Sequence, residues 1–259
     1  MEVKIKWIGG ATFILTIDNL KIACDPDLSP KDTIQDYFWF KSRRLDDPVY
    51  ATDDFNNVDL WLITHEHEDH LNPLGIEQIS PTAIVVANRA AARILRKTGH
   101  SKVTTLRHGR ILEYRLAGCD IRIRAIKAVH GVNPLAARLA GRGNGYLVTV
   151  LRNSELANIY ITGDTVYDKR ITRSLHGTTI DVLIPNLGAV QKGSWIGMLT
   201  LDAAMLRKFI ADLDPRFVMP VHYGSFSHYK EPISRLTEMA LSRVYLAVPG
   251  GQQVFPIGD

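Results

Sequence analysis

Residues 59–70 read Asp59-Leu60-Trp61-Leu62-Ile63-Thr64-His65-Glu66-His67-Glu68-Asp69-His70. An apolar run of strand character opens directly into the pattern H-x-H-x-D-H. The turn packs three imidazoles and a carboxylate into positions 65–70. Unpaired side chains gain nothing from such crowding, but a metal ion gives it a purpose. Neutral imidazole suits a borderline metal such as zinc, and a carboxylate shares that ion or binds a neighbour. A tight turn at a strand end throws alternate residues toward one point. His65 and His67 are thereby placed to grip one ion, and Asp69 and His70 to reach a second.

Such a cluster needs partners from other strand ends, and three are present. His130 follows the run Ile123–Val129 and precedes Gly131, Asp164 follows Ile159–Gly163, and His222 follows Phe217–Val221 and precedes Tyr223-Gly224. In each case an apolar strand ends in a potential ligand close to a glycine, which permits a sharp turn. Alone, each would read as a surface histidine or a turn-forming aspartate. Together with the six-residue cluster they read as a ligand set.

The bulk properties fit an enzyme-sized globule. The chain has 259 residues, 46% apolar and 22% charged, enough to bury a sizeable core. We read residues 1–259 as a single domain. No apolar run approaches the roughly eighteen residues of a membrane span. The first residues alternate like a strand and lack the layout of a signal peptide. The two cysteines, Cys24 and Cys119, have no C-x-x-C partner, so a cytoplasmic location is expected. The net charge of +4 suits anionic substrates, and no Lys/Arg block marks a nucleic-acid tail.

Along the chain, residues 3–8, 12–17 and 21–24 read as a meander of strands, followed by a long polar and aromatic loop over 28–57. Further strands are expected at 59–63, 83–87, 121–126, 146–151, 158–161, 181–184, 216–219 and 243–247. Helices are expected at 73–79, 88–97, 201–213 and near 232–241. Two strand-rich halves, each with helices to follow, predict an α/β fold of four layers.

At this point the chain resembles the metallo-β-lactamase fold superfamily. The matching motifs, in order, are His65-x-His67-x-Asp69-His70, His130, Asp164 within Thr162-Gly163-Asp164-Thr165, and His222. Within it the chain looks most like the compact metal-dependent hydrolase group that includes ascorbate-6-phosphate lactonase and N-acyl-phosphatidylethanolamine phospholipase D. The supporting residues are Gly10–Phe13, Asp25-Pro26, Gly143–Tyr146, Leu199–Ala203 and Pro220–Phe226. The resemblance implies an αββα sandwich with the site along one edge of the sheets. It implies that His65, His67 and His130 hold a first metal, that Asp69, His70 and His222 hold a second, and that Asp164 bridges them. Zinc is the first choice of metal, with manganese and iron open to the same ligands. Two adjacent metals lower the pKa of a shared water toward roughly 7. The hydroxide then attacks an ester, lactone or phosphodiester of a small molecule, with Asp69 and Asp164 as the catalytic carboxylates. Two other functions compete. A nuclease is disfavoured because no basic arm or inserted domain is present. A non-catalytic metal-binding or partner-binding protein is disfavoured by the intact seven-ligand set.

The rest of the pocket is less sharply drawn. Asp25 and Thr64 are candidates to orient the imidazoles, and Asp-Pro turn and strand-end Thr are their plain alternatives. In the aromatic and basic stretch 37–44, the aromatics from Tyr37 to Phe40 are expected to pack over the cleft and Lys41 or Arg43 to meet an anionic part of the substrate, the alternative being that the aromatics only anchor a surface excursion or a subunit contact. Trp195 and Met198 are candidates for an apolar wall, and His228, Tyr229 and Lys230 for further substrate contacts. Arg138 and Arg142 are either anion contacts or surface charges, and His108 is at best auxiliary. His100 and His176 read as surface residues. A homo-oligomer is compatible with all of this.

Overall fold

The computed structural model describes residues 1–37, 40–133, 141–192 and 197–258. Three short alternating segments form an antiparallel meander: β1 (Glu2–Gly9), β2 (Thr12–Ile17) and β3 (Leu20–Cys24). The sheet then grows by parallel addition of β6 (Leu60–Ile63), β7 (Val85–Ala87) and β8 (Val103–Thr105). Its other edge is closed by β17 (Gln252–Pro256), antiparallel to β1, giving the order β17-β1-β2-β3-β6-β7-β8. The second sheet starts as another meander: β9 (Ile111–Leu116), β10 (Cys119–Lys127), β11 (Asn144–Arg152) and β12 (Glu155–Ile161). Two parallel strands, β13 (Val182–Ile184) and β16 (Phe217–Val218), complete it.

Period-two burial decides how the sheets face. In β10, Cys119, Ile121, Ile123 and Ala125 are buried while Asp120 and Arg122 are exposed. The buried row packs with Val3, Ile5, Leu15 and Ile22 of the first sheet and with Tyr146, Val148 and Ile159 of the second in one core. Helix α2 (Arg89–Lys97) lays Ala91, Ala92 and Leu95 on the other face of the first sheet, against Trp61, Ile63 and Val85. Helices α3 (Lys169–Ser174) and α4 (Ala203–Leu213) contribute Ile171, Leu206 and Phe209 on the side of the second sheet. The result is the expected αββα sandwich. No helix among the described residues is long and apolar enough to cross a membrane.

Some local expectations change. The helix expected near 232–241 shrinks to α5 (Ser234–Glu238), and 243–247 is not a strand: only the bridge between Val218 and Val244 forms. With β16 two residues long, there is little edge for a further strand to pair with. The loop over 28–57 contains a small antiparallel ribbon, β4 (Ile34–Asp36) and β5 (Lys41–Arg43). His100 is buried, not a surface residue. Its ring nitrogens face the carbonyls of Leu95 and Ile79 at 3.1 and 2.9 Å, tying the end of α2 to the segment after α1 (Pro73–Gln78). His176 is exposed, as expected.

Candidate metal centre

Every strand-end candidate arrives at one place. β6 delivers the 65–70 turn, β10 leads into His130, β12 into Asp164, and the segment after β16 into His222. Two of the turns are sterically specified. Gly163 has φ +58°, and a β carbon there would lie 2.6 Å from the Asn144 carbonyl. His222 itself has φ +62°, a left-handed conformation held by its N–H donating to the Gly10 carbonyl at 2.8 Å.

The cluster divides in two. Ligating atoms of His65, His67 and His130 lie within 4.8 Å of one another, and so do those of Asp69, His70, Asp164 and His222. Asp164 stands between the groups. Its Oδ1 is 3.2 Å from His70 Nε2 and 3.5 Å from His222 Nε2, and its Oδ2 is 4.0 Å from His65 Nε2 and 3.9 Å from His130 Nε2.

The outer hydrogen bonds set which ring nitrogen points inward. His130 Nδ1 donates to the Leu199 carbonyl at 2.9 Å and His222 Nδ1 to the Leu187 carbonyl at 3.0 Å. His70 Nδ1 donates to Asp25 at 2.8 Å. His65 Nδ1 donates to the Thr64 hydroxyl at 3.1 Å, which donates in turn to Asp25 at 2.6 Å. A neutral ring with its proton on Nδ1 turns a lone pair inward at Nε2. Ring nitrogens converge: His70 Nε2 and His222 Nε2 are 3.2 Å apart, and His65 Nε2 and His67 Nδ1 are 3.0 Å apart. Among the described residues, Asp69 Oδ1 is buried without a hydrogen-bond partner. Convergent ring nitrogens and an orphaned carboxylate oxygen are what a cation satisfies, so the residues present fit divalent metal ions.

Electrostatics agree. Burial works against charge on His70, but Asp164, Asp25 and Asp69 outweigh it and hold the imidazole well above its ordinary value. Burial also works against ionisation of Asp69 and Asp164. His70 and the hydrogen bonds of His222 and His228 overcome it for Asp69, and His222 and His70 do so for Asp164, leaving both well below the usual carboxylate range. A proton on His70 thus takes up part of the positive charge that this half demands.

Asp25 and Thr64 hydrogen-bond to the imidazoles of His70 and His65, the contacts that the orienting role, one of the two expected for them, requires. Asn186, which sequence reasoning missed as an individual residue, donates from Nδ2 to Asp164 Oδ1 at 2.9 Å. Its only signal is its place between a strand end and Gly188. Ser42, also missed, sits within hydrogen-bond distance of His228 Nδ1, whose Nε2 lies 3.3 Å from Asp69.

The expected pocket residues divide. Tyr37 lies edge-on to His67 with ring centres 5.9 Å apart and 5.4 Å from His228, and it stacks on Phe40 at 4.8 Å. Tyr229 packs on His222 at 4.3 Å, and its buried hydroxyl has no hydrogen-bond partner among the described residues. Lys41 and Arg43 do not join the cluster. Their side chains are 70% and 58% exposed, on the outer face of β5, and face Asp36 and Asp32. Lys41 lines a small cavity outside His228, together with Lys230. Arg44 points inward, fully buried against Asp27 at 2.7 Å. Met198 is in the short strand Gly197–Met198 and receives the Val132 N–H at its carbonyl. His108 Nε2 contacts the Gly143 carbonyl at 3.1 Å. Trp195 and Arg138 lie outside the described residues.

Known proteins place this geometry. A UPF0173 metal-dependent hydrolase of Aeropyrum pernix is 27% identical over 241 residues, covering 86% of this chain and 83% of its own. A UPF0173 protein of Pyrococcus furiosus is 25% identical, with 95% of each chain covered. Among solved structures, a possible metal-dependent hydrolase from Veillonella parvula superposes with TM-score 0.83 at 23% identity, covering 98% of this chain and 99% of that one. An isothiocyanate hydrolase from Delia radicum gut bacteria gives 0.81 at 21%, covering 98% and 100%. The two structures share the fold. Residues 4–222 match the model of the Beta-lactamase superfamily domain, and the chain belongs to that family, within which homologues carry the name metal-dependent hydrolase.

Proposed function

We propose that the chain is a dinuclear metal-dependent hydrolase that cleaves an ester, lactone or phosphodiester of a small molecule. The position of Asp164 supports this most, with one carboxylate oxygen toward each half of the cluster. In this reading His65, His67 and His130 hold one divalent ion, and Asp69, His70 and His222 hold the other. Nitrogen and oxygen donors favour zinc and admit manganese or iron. When bound, the ions lower the pKa of water toward about 7 and polarise the oxygen of the electrophile.

The protein supplies the rest. Asp164, kept ionised, accepts and holds a proton at Oδ1 or Oδ2 beside the reacting centre, and Asn186 fixes its rotamer. Asp25 and Thr64 hold the His65 and His70 rings in one tautomer. Burial pushes the Tyr229 phenol well above its ordinary value, so at working pH its hydroxyl stays a donor, free to meet a substrate oxygen. Tyr37 and Phe40 give an apolar wall beside His228.

The reading is tested by elemental analysis and a hydrolysis panel of lactones, carboxylic esters and phosphodiesters, after loading with zinc, manganese or iron. About two equivalents of metal and turnover of at least one class are expected. One equivalent or less, or no turnover across the loaded panel, rejects it.

A further inference from the structure

The cations expected to meet an anionic substrate, Lys41 and Arg43, point away from the cluster, yet a different set converges beside it. A cleft of about 730 Å³ opens on the side of the 65–70 turn, lined by Arg89, Arg93, Arg107 and Arg142. The four arginines come from three separate segments. Arg89 and Arg93 are one turn apart on α2, Arg107 follows β8, and Arg142 precedes β11. All four are exposed, and among the described residues none of their guanidinium groups has an ion pair or hydrogen bond. Here like charges four apart on one helix face repel one another without compensation.

Among the described residues lining the cleft, Glu66 is the one acidic side chain, and it is already engaged: Asn88 Nδ2 donates to its Oε2 at 3.0 Å. The N-terminal turn of α2, positive by virtue of the helix dipole, forms part of the same wall through Arg89 and Ala90. The cleft also adjoins the candidate metal centre. Glu66 lies between His65 and His67, and a β carbon on Gly143, next to Arg142, would lie 3.8 Å from His65 Cβ.

We propose that this arginine cleft binds a multiply charged oxyanion, phosphate first, on the non-reacting end of the substrate. Guanidinium forks match the paired oxygens of phosphate and carboxylate, and their convergence favours more than one negative charge. The oxyanion seated there positions the rest of the substrate toward the centre next door. The assignment of a substrate rests on the hydrolase reading above, but the binding site does not.

The test separates the two. Metal-free protein at pH 8 is titrated with inorganic phosphate, and separately with succinate, by calorimetry. Saturable binding of phosphate at one site is expected, weakened at least about tenfold by Arg89→Gln with Arg93→Gln and by Arg142→Gln. The exposed pair Arg115→Gln with Arg122→Gln, on the far strands β9 and β10, leaves it unchanged. Succinate binding that depends on the same arginines extends the site to carboxylates, and its absence restricts it to phosphate. On loaded enzyme, KM for anionic substrates rises in the cleft variants while kcat and the kinetics of neutral substrates hold. Binding of phosphate without any turnover keeps the site and sinks the hydrolase reading. Turnover with no saturable phosphate binding, or binding indifferent to all three cleft substitutions, overturns the site. Tight capture of a single-stranded RNA ten-mer with no binding of free phosphate overturns it in favour of a nucleic-acid surface.

Discussion

The two halves of the histidine–aspartate cluster are built from different chemistry. His65, His67 and His130 are imidazole only. Burial and neighbouring histidines depress the first two, His65 well below its ordinary value and His67 from 6.5 to about 4. The other half holds two buried carboxylates, Asp69 and Asp164, which sustain a charged His70 between them. His65 and His67 are therefore neutral rings near neutrality, each with a lone pair to donate. The mixed half partly neutralises itself with a proton, which an incoming cation displaces. The difference shows how one turn, read from six adjacent residues, serves two environments: residues 65 and 67 meet one another and His130, while His70 meets the carboxylates of Asp25 and Asp164 and Asp69 meets the rings of His222 and His228.

The largest effect is expected where the halves meet. Asp164→Asn removes the charge shared by both, and we expect turnover to fall at least about a thousandfold with loss of metal from both halves and the fold retained. His130→Ala, by contrast, touches only the imidazole half and should release one equivalent of metal by elemental analysis while the second stays. Loss of both equivalents in His130→Ala would show that the halves are not separable.

The next effect belongs to the mixed half. Asp25 accepts from His70 and, through Thr64, supports His65. Removing such an outer carboxylate generally weakens metal binding by about 10–100-fold. Asp25→Asn should therefore raise the dissociation constant, with the direct bond to His70 making the mixed half suffer more. Chelator competition resolves the two stoichiometric steps, and an equal loss in both would dissolve the contrast.

Acid should separate the halves in the metal-free protein. The unfolded chain protonates its histidines near roughly 6.5, before folded His67 does at about 4. The unfolded state therefore binds more protons in that window, and stability falls as pH drops from 6.5 toward 4. His70 runs the other way: its raised value stabilises the fold fully below about 6.5, and that contribution fades as pH rises through its folded value. Asp69 and Asp164 stabilise above the ordinary carboxylate range and lose that contribution only in stronger acid. Between pH 6.5 and 5 the imidazole half governs, and Tm should fall by a few degrees, at roughly 2–4 °C per kcal/mol for a chain of this size. His67→Gln should flatten the dependence, and an unchanged slope would remove His67 from its cause.

Legibility in the sequence followed distance along the chain. The cluster was readable because each ligand sits where an apolar strand stops, a local pattern repeated at residues 65–70, 130, 164 and 222. The sandwich was readable because β10 and its neighbours alternate with period two. What failed depended on remote partners. Lys41 and Arg43 looked like substrate cations, but the ribbon docks through Ser42 to His228, 186 residues away, and that contact turns both cations outward. Arg44 sits next to them in sequence, and only the buried Asp27 explains its inward course. β17 has mixed polarity and pairs with the opposite end of the chain, so no local period announced it. Of the arginine cleft only Arg142 was a candidate in the sequence, as an anion contact or a surface charge, since Arg89, Arg107 and Arg142 meet only after three segments fold.

The smallest effect is expected at Tyr229. Its ring packs on His222 of the mixed half, 4.3 Å between centres, and also on His228 and Phe226. Its hydroxyl is buried with no hydrogen-bond partner among the described residues. Leaving a polar group in that state is unfavourable unless something arrives to accept its proton, and a substrate oxygen is such a group. Tyr229→Phe keeps the ring and its packing and deletes only the donor. A neutral hydrogen bond is worth about 0.5–1.5 kcal/mol, so kcat should fall roughly two- to tenfold if the bond forms in the transition state. If the bond is equally strong in the ground state, KM rises and kcat holds. Tm should stay level or rise, because an unsatisfied hydroxyl is removed from the interior. Unchanged kinetics together with a higher Tm would assign Tyr229 to packing against His222 alone, leaving polar substrate contacts on that side to His228.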